Sequence, residues 1–491
     1  MADINVKLKD YSMLIIECDR GISAELSEYF SFFVPGYRFM PAFKARVWDG
    51  KIRLFNQMTG ELNAGLYIYV IKFCEERGYT CDTEETDYGY PLGLDKINPE
   101  QLLEFYNVLK LPFDPRDYQH DAVTVALQRK RAILVSPTGS GKSFIMYLLM
   151  RHILGTEKGK ILIIVPTTSL VEQLWQDFAD YGYDAENKVH KIYSGKDKTT
   201  NKRIIISTWQ SIYKFPRKWF EGFDAVFGDE CHGFKSKSLS SIMNKSTEAK
   251  YRFGLTGTLD GTQTHKLVLE GLFGPVYQVT MTKKLQDEGT LAPLDITVLM
   301  LKYASETREA NIANDYQKEI EFLIKHEKRN RFIRNLALSQ TGNTLVLYQR
   351  VDGHGKPLYN MIRDKAEVNR KVFFVSGDVD TEARESIRKI VETQKNAIIV
   401  ASLGTFSTGI NIRNLHNIIF ASPSKSQIKV LQSIGRGLRK SDDGSVTQLF
   451  DIADDLHWKQ RKNFTLRHSG ERVKIYSKEE FKYKIVQVDL E

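Results

Sequence analysis

The densest chemistry in the chain lies between Ser136 and Ser143, in the run SPTGSGKS. Glycines at 139 and 141 let the backbone curl so that successive N–H groups point at phosphate oxygens. The helix expected over 144–153 adds the positive end of its dipole. Pro137, Thr138, Gly139, Ser140 and Gly141 would form the cradle. Lys142 would reach the β- and γ-phosphates of a nucleoside triphosphate, and the Ser143 hydroxyl would ligate magnesium. The position where a first glycine is usual holds Ser136, which is still small. Such a loop needs a partner acid at the end of a neighbouring strand, and the apolar run ending at 228 is followed by Asp229 and Glu230. Asp229 suits a magnesium ion through its water shell. Glu230, one residue on, can orient and deprotonate an attacking water.

A second cationic motif lies far downstream, at Gln432–Arg439 (QSIGRGLR). Guanidinium groups grip phosphate oxygens through paired hydrogen bonds, so Arg436 and Arg439 are the expected fingers that complete the γ-phosphate site when two lobes close. Gly435 and Gly437 flank Arg436 and permit close approach.

Those groups need elements to hold them. The chain has 491 residues, enough for about three domains. Residues 1–85 read as a small α+β unit, with a hairpin at Ile4–Leu8 and Met13–Cys18, helical periodicity at 22–33 and 64–77, and a short strand at 51–55. Residues 86–114 read as linker and helix, the linker character being set by Gly89, Pro91, Gly93 and Pro99. Short apolar runs at 132–135, Lys160–Val165, 203–207, 225–227 and 253–255 alternate with helical stretches, the signature of parallel strands buried on both faces. This gives a first lobe over 115–282. A charged helical stretch at 306–340 precedes a second alternation at Thr344–Tyr348, 371–375, 397–401 and 417–421, within a second lobe over 283–450. Residues 451–491 form a basic C-terminal segment. The fold class is therefore α/β, with two tandem parallel-sheet lobes behind a small α+β domain.

The remaining composition constrains partners. The net charge is +9, which permits a polyanionic partner without demanding one. The four cysteines show neither C-x-x-C nor zinc-finger spacing, so reduced thiols are expected, without disulfides or structural zinc. No run has the ~20 apolar residues of a membrane span and no signal-peptide core is present, so a cytoplasmic protein is expected.

Asp229-Glu-Cys-His232 resembles the DExH box of superfamily 2 helicases, and other motifs of that family follow in order. Asp117-Tyr118-Gln119 resembles the adenine-reading motif, with Tyr118 and Gln119 as the expected nucleotide contacts. The stretches beginning at Pro166 and Ser207 resemble the strand-contacting motifs of the first lobe, which implies nucleic-acid contacts at Pro166, Thr167 and Thr208. Thr256-Gly-Thr258 is similar to the motif that couples hydrolysis to lobe movement. Residues 402–411 (SLGTFSTGIN) resemble motif V, and 432–439 motif VI. By this resemblance Gly409 would meet nucleotide, and Gly377 and Thr405 nucleic acid. The fold implied is a pair of RecA-like lobes; the cofactors implied are ATP and Mg2+.

The segment 36–55 holds five Lys/Arg, five aromatic residues and one acid. Two readings are open. Arg38, Lys44, Arg46, Trp48, Lys51 and Arg53 could grip phosphates and stack on bases; alternatively Phe39, Phe43 and Trp48 are core and the cations a solvated rim. Residues 458–484 hold nine Lys/Arg among aromatics, either as a second such surface or as a packed helix with a basic face. The W-D-G-K-I run at 48–52 ahead of a DExH lobe resembles the UvsW-type recombination helicases of T-even phages. That resemblance implies ATP-dependent unwinding or remodelling of branched DNA, namely branch migration, fork regression and R-loop removal, by a monomer or transient oligomer acting 3′ to 5′. An RNA helicase and a non-catalytic ATP-dependent clamp are the alternatives. The presence of Lys142, Glu230, Arg436 and Arg439 favours catalysis.

Overall fold

The computed structural model describes residues 2–83, 97–195, 197–259, 262–311, 315–377, 381–409, 414–422, 434–435 and 446–490, with backbone only at 235, 263–264, 381–385, 388 and 407–409. The chain forms two compact units, Met1–Ser136 with Gly141–Val279 and Pro137–Ser140 with Thr280–Glu491.

The first unit opens with β1 (Ile4–Leu8) and β2 (Met13–Cys18), the expected hairpin, in antiparallel register from Ile4↔Cys18 to Leu8↔Leu14. The helix Arg20–Tyr29 is capped by Asp19, whose side chain accepts from the Ile22 N–H at 2.8 Å, and it buries Ile22 and Leu26. It ends short of the expected 33. Residues Ser31–Phe33 form β3, paired with β4 (Lys51–Arg53). A short apolar run such as Phe32-Phe33 satisfies either period, and strand pairing decided it. The strand expected over 51–55 likewise divides, because Phe55 turns into β5 (Phe55–Asn56) and pairs with Leu62 of β6 (Glu61–Asn63). A five-stranded sheet in the order β5-β6-β2-β1-β7 results, with β7 at Cys81–Thr83. The helix Tyr67–Arg77 covers it and stops at Gly78. Ile4, Val6, Leu14, Ile16, Leu26, Phe30, Leu62, Val70 and Phe73 make its core.

Behind it lies a seven-stranded parallel sheet made of β8 (Arg131–Val135), β9 (Lys160–Val165), β10 (Val189–Ile192), β11 (Ile204–Thr208), β12 (Phe223–Asp229), β13 (Tyr251–Thr256) and β14 (Val276–Gln278), ordered β10-β11-β9-β12-β13-β8-β14. Every residue of β8, β11 and β13 is buried, as runs covered on both faces require.

The small domain is bolted to this sheet at the end where its strands begin. Arg131 and Arg252 are paired neighbours on β8 and β13, and both are fully buried. Arg131 Nη2 donates to the Tyr11 carbonyl at 2.6 Å. Arg252 donates to the carbonyls of Ala249 (3.0 Å), Met243 (3.1 Å) and Ser246, and to Ser12 Oγ at 2.6 Å. The β1–β2 turn thus sits in a two-arginine clamp. Tyr69 Oη donates to Glu270 at 2.6 Å, and Leu267 enters the small domain's core.

The second unit is another all-parallel sheet. Its strands are β15 (Leu294–Lys302), β16 (Thr344–Tyr348), β17 (Val372–Val375), β18 (Ile398–Ser402), β19 (Asn417–Phe420), β20 (Thr447–Asp455) and β21 (Tyr483–Asp489), ordered β17-β18-β16-β19-β20-β15-β21. The boundary expected at 450 falls inside β20, and the last strand adds to β15 in this same sheet. Two buried ion pairs secure β20. Arg329 Nε and Nη2 meet Asp454 at 2.7 and 3.0 Å, with Tyr303 Oη on the same carboxylate at 2.7 Å. Arg472 meets Asp451 at 2.8–3.0 Å, joined by Tyr476 Oη at 2.9 Å. Arg472 lies on the helix Phe464–Lys478, so the packed-helix reading of the C-terminal segment holds for this part.

Among the described residues no helix is long and apolar enough to cross a membrane, and the four cysteines are free thiols.

Candidate nucleotide and nucleic-acid site

The first sheet's functional groups gather where its strands end. β8 runs out at Val135, and the loop that follows carries Gly139 and Gly141 at φ of 86° and 83°. The helix Lys142–Thr156 starts directly after, two residues before the expected 144. Gly141 is required twice over. Its φ is one that L side chains avoid, and a Cβ there would lie 2.4 Å from Gln119 Nε2. Gln119 is therefore pressed against the loop. Its side-chain oxygen accepts from the Arg116 N–H at 3.0 Å, while Arg116 Nη1 donates to Tyr118 Oη at 2.9 Å. Pro137 and Thr138 occupy the loop, and Ser140 Oγ donates to the Pro137 carbonyl at 2.6 Å. Lys142 Nζ folds back on the Ser136 carbonyl at 3.2 Å. Ser143 Oγ shares a hydrogen bond of 2.9 Å with Tyr181 Oη.

Asp229 ends β12, two strands away in the order, and Glu230 follows with φ 47°. A glutamate in the left-handed region costs of order 1 kcal/mol, strain of the kind that collects at working sites. Asp229 keeps part of its surface open, but surrounding protein atoms strip its solvent. That burial, with the Glu230 charge beside it, raises its carboxyl to about 7 against the opposing pull of Lys142. Glu230 is held from the side. His232 Nδ1 lies 3.4 Å from Glu230 Oε2 and 3.1 Å from Thr256 Oγ1, while the Thr256 hydroxyl reaches Glu230 at 3.5 Å and the Thr258 carbonyl at 3.0 Å. The Thr256 carbonyl accepts from the Ser136 N–H at 2.9 Å, which ties this group to the start of the phosphate loop.

The same sheet edge carries the strand-contacting candidates. Thr208 ends β11 opposite Val165, one residue before Pro166. Gln210 Nε2 donates to the Pro166 carbonyl at 3.3 Å, and the Thr167 side chain caps the next helix by accepting from the Leu170 N–H. In the second unit, a Cβ on Gly377 would lie 4.0 Å from Thr405 Oγ1, which itself bonds Ser402 Oγ at 2.6 Å. Gly409 ends the helix Leu403–Gly409, with its surroundings not described. Arg436 and Arg439 lie outside the described residues.

The six candidates of the small domain do not behave alike. Lys51 Nζ pairs with Glu28 at 2.8 Å, Arg53 pairs with Asp49, and the Trp48 indole donates to the Lys51 carbonyl at 2.8 Å. Arg38, Lys44 and Arg46 are exposed, and among the described residues none of them meets a carboxylate. Phe39 is also exposed, so it is not core. His232, Thr256 and Tyr181 touch these candidate groups although the sequence offered none of them as a contact. His232 lay in the DExH box and Thr256 in the Thr256–Thr258 motif, whereas Tyr181 had no signal.

A Mg2+ ion takes oxygen ligands and keeps much of its water, so it suits a hydroxyl and one carboxylate beside phosphates. The Ser143 and Asp229 donors fit that need. Among the described residues no cluster of three or more His, Cys, Asp or Glu could hold a metal by itself.

Comparison with known proteins places this arrangement. The family described as "DNA helicase UvsW, N-terminal" matches residues 3–83, "Type III restriction enzyme, res subunit" matches 112–261, and "Helicase conserved C-terminal domain" matches 327–441. The ATP-dependent DNA helicase uvsW of Enterobacteria phage T4 is 36% identical over 509 residues, covering 99% of this chain and all of that protein. The DNA 3'-5' translocase XPB2 of Sulfurisphaera tokodaii is 24% identical over 377 residues, covering 69% of this chain and 81% of that one. The crystal structure of T4 UvsW superposes with a TM-score of 0.53 at 34% identity, with full coverage of both chains. An end-to-end match at this identity, with both parallel sheets and the N-terminal domain in place, makes the chain a member of the UvsW family of superfamily 2 helicases.

Proposed function

We propose that the chain is an ATP-hydrolysing DNA motor that unwinds or remodels branched DNA, using Mg2+. One observation carries the reading: the phosphate loop, the Asp229–Glu230 pair and the residues Pro166, Thr167 and Thr208 share one edge of one sheet. Nucleotide chemistry and strand contact then sit on the same rigid frame.

The loop N–H groups and Lys142 bind the triphosphate, with Gln119 and Tyr118 at the base. Ser143 and Asp229 would hold the Mg2+, which supplies charge neutralisation on the phosphates. Glu230 orients the attacking water and takes its proton. His232 and Thr256 fix the Glu230 carboxylate, so that it does not have to be organised at the moment of reaction. Arg436 and Arg439 are assigned to the γ-phosphate, and Gly377 and Thr405 to the nucleic-acid strand, by their motifs. Branch migration, fork regression and R-loop removal are the activities this reading assigns. RNA is a secondary substrate class, distinguished by the same test.

That test measures ATP hydrolysis of the parent chain and of Lys142→Ala with forked DNA, a four-way junction, an R-loop and an RNA duplex. The parent should be stimulated most by branched DNA. Lys142→Ala should lose hydrolysis while keeping DNA binding, because the lysine serves the nucleotide. Loss of DNA binding by the folded variant, or stimulation by RNA duplex alone, would overturn the assignment.

A further inference from the structure

The Ser143 hydroxyl has a neighbour that the phosphate loop itself does not require. Tyr181 Oη lies 2.9 Å from Ser143 Oγ, although 38 positions separate the two in the chain. Tyr181 directly follows the helix Thr168–Asp180 and caps its end, its N–H donating to the Asp177 carbonyl at 3.0 Å. Beyond it the Gly182 N–H donates to the Ala179 carbonyl at 2.9 Å, and the Tyr183 N–H to the Phe178 carbonyl at 3.0 Å. The backbone at 181 is thus tied down on both sides. The ring is also held. It meets Phe144 edge-on at 5.0 Å and Phe113 edge-on at 5.8 Å, and lies 5.3 Å from Tyr147, whose hydroxyl donates to the Tyr181 carbonyl at 3.4 Å.

Among such neighbours phenylalanine would pack as well, so the hydroxyl needs its own reason. Burial pushes it up to about 12, with Ser143 pulling the other way. It is therefore a neutral phenol at working pH, and its contact with Ser143 joins two hydroxyls. A serine hydroxyl carries one proton and two lone pairs. Whichever oxygen donates in this bond, Ser143 Oγ retains a lone pair for a cation. Left alone, the serine side chain turns among staggered rotamers. The bond to a phenol locked at the end of a second helix holds it in one of them. Asp229, the other group that suits Mg2+, is held by the end of β12.

We infer that Tyr181 is a positioning residue for Mg2+, its hydroxyl keeping Ser143 Oγ in the rotamer that ligates the ion. This rests on the Mg2+-using ATPase reading above and adds the residue that organises one of the two ligands.

The experiment uses the full chain and a non-hydrolysable ATP analogue with a fluorescent ribose label. Its affinity is measured in EDTA and across a Mg2+ titration. In the parent, Mg2+ should tighten nucleotide binding. Tyr181→Phe keeps the ring and removes only the hydroxyl. Its affinity in EDTA should match the parent's, because the loop N–H groups and Lys142 bind the triphosphate without the ion. The Mg2+ concentration at half effect should rise about two- to ten-fold, what one ordinary hydrogen bond supplies. Ser143→Ala should lose most of the Mg2+ effect. Adding Tyr181→Phe to it should change nothing further, since the tyrosine acts through the serine. An unchanged Mg2+ midpoint in Tyr181→Phe would overturn the inference. So would a lower midpoint, which would mean that the tyrosine draws the serine off the ion. Equal weakening with and without Mg2+ would mark a packing role, and a further loss in the Ser143→Ala background would show that the tyrosine does not act through the serine; either result overturns it too. Failure of the underlying reading shows in the parent alone, as nucleotide binding that is absent or indifferent to Mg2+.

Discussion

Replacing Arg252 by Met should loosen the small domain from the first sheet. The side chain is 1% exposed and donates to three carbonyls, those of Ala249, Met243 and Ser246, and to Ser12 Oγ. Methionine fills most of the volume but makes none of those four bonds, although the Met243 carbonyl still accepts from Ser12 Oγ at 3.1 Å and the Ser246 carbonyl from the Ala249 N–H at 3.3 Å. A bond to a charged donor is worth about 1.5–3 kcal/mol, and the remaining partners and relief from burying a charge offset part of the sum, which leaves a loss of about 3–5 kcal/mol. For a unit of roughly 280 residues, an unfolding entropy of about 2.1 cal/mol/K per residue turns 4 kcal/mol into a fall of about 7 °C in Tm. Calorimetry of the full chain reads this directly. A double-mutant cycle with Ser12→Ala isolates the inter-domain bond, for which a coupling of about 1–3 kcal/mol is expected because the donor is charged. A melt within 2 °C of the parent (about 1 kcal/mol on that conversion), or a coupling of zero, would refute the clamp.

Three further outcomes are expected. Glu230→Gln should bind ATP yet turn over of order 10²-fold more slowly in single-turnover assays, since an amide cannot take the proton from water; near-parent rates would remove Glu230 from the chemistry. Replacing Arg38, Lys44 and Arg46 by Ala should lower the log–log salt slope of duplex binding by about 0.9 per lost phosphate contact, while Lys51→Ala with Arg53→Ala should leave it nearly unchanged because those cations already face acids; equal slopes for the two variants would contradict the division. The buried His354, bonded to Ser422 Oγ at 2.7 Å and Asn330 Oδ1 at 3.1 Å, is pushed down to about 3 from 6.5 by burial and then by the Arg329 charge. The unfolded chain alone takes up that proton below pH 6.5, so stability falls as pH drops from there. Its share at pH 5.5 is about 1.4 kcal/mol, and the gap in urea stability between the parent and His354→Asn should shrink by that amount from pH 7.5 to 5.5.

The motor lobes were legible because their signals are local. A phosphate loop needs small residues at fixed offsets between a strand and a helix, and strands buried on both faces write continuous apolar runs, as at Lys160–Val165. Edge strands write weaker ones. β10 and β21 are short or exposed, and Tyr483–Asp489 reads as basic tail until β15 is there to pair with it. The clamp was illegible because it joins Ser12 to Arg252 across 240 positions, and an arginine inside an apolar run reads as a strand edge. Tyr181 was invisible for the same reason, since only folding brings it to Ser143. In the segment 36–55 composition put five cations on equal terms. Geometry separated them, because Glu28 reaches Lys51 from a different element.

The two-arginine clamp has a consequence for measurement of distance along DNA. It holds the small domain at the end of the first sheet where strands begin, whereas Pro166, Thr167 and Thr208 lie where they end. Strands of five to seven residues at about 3.3 Å per residue set the span between those ends at about 17–23 Å. With a buried clamp at one end and backbone ladders between, that span is a fixed gauge. If DNA seats both on the small domain and on Pro166, Thr167 and Thr208, the clamp keeps those two contacts at a constant separation.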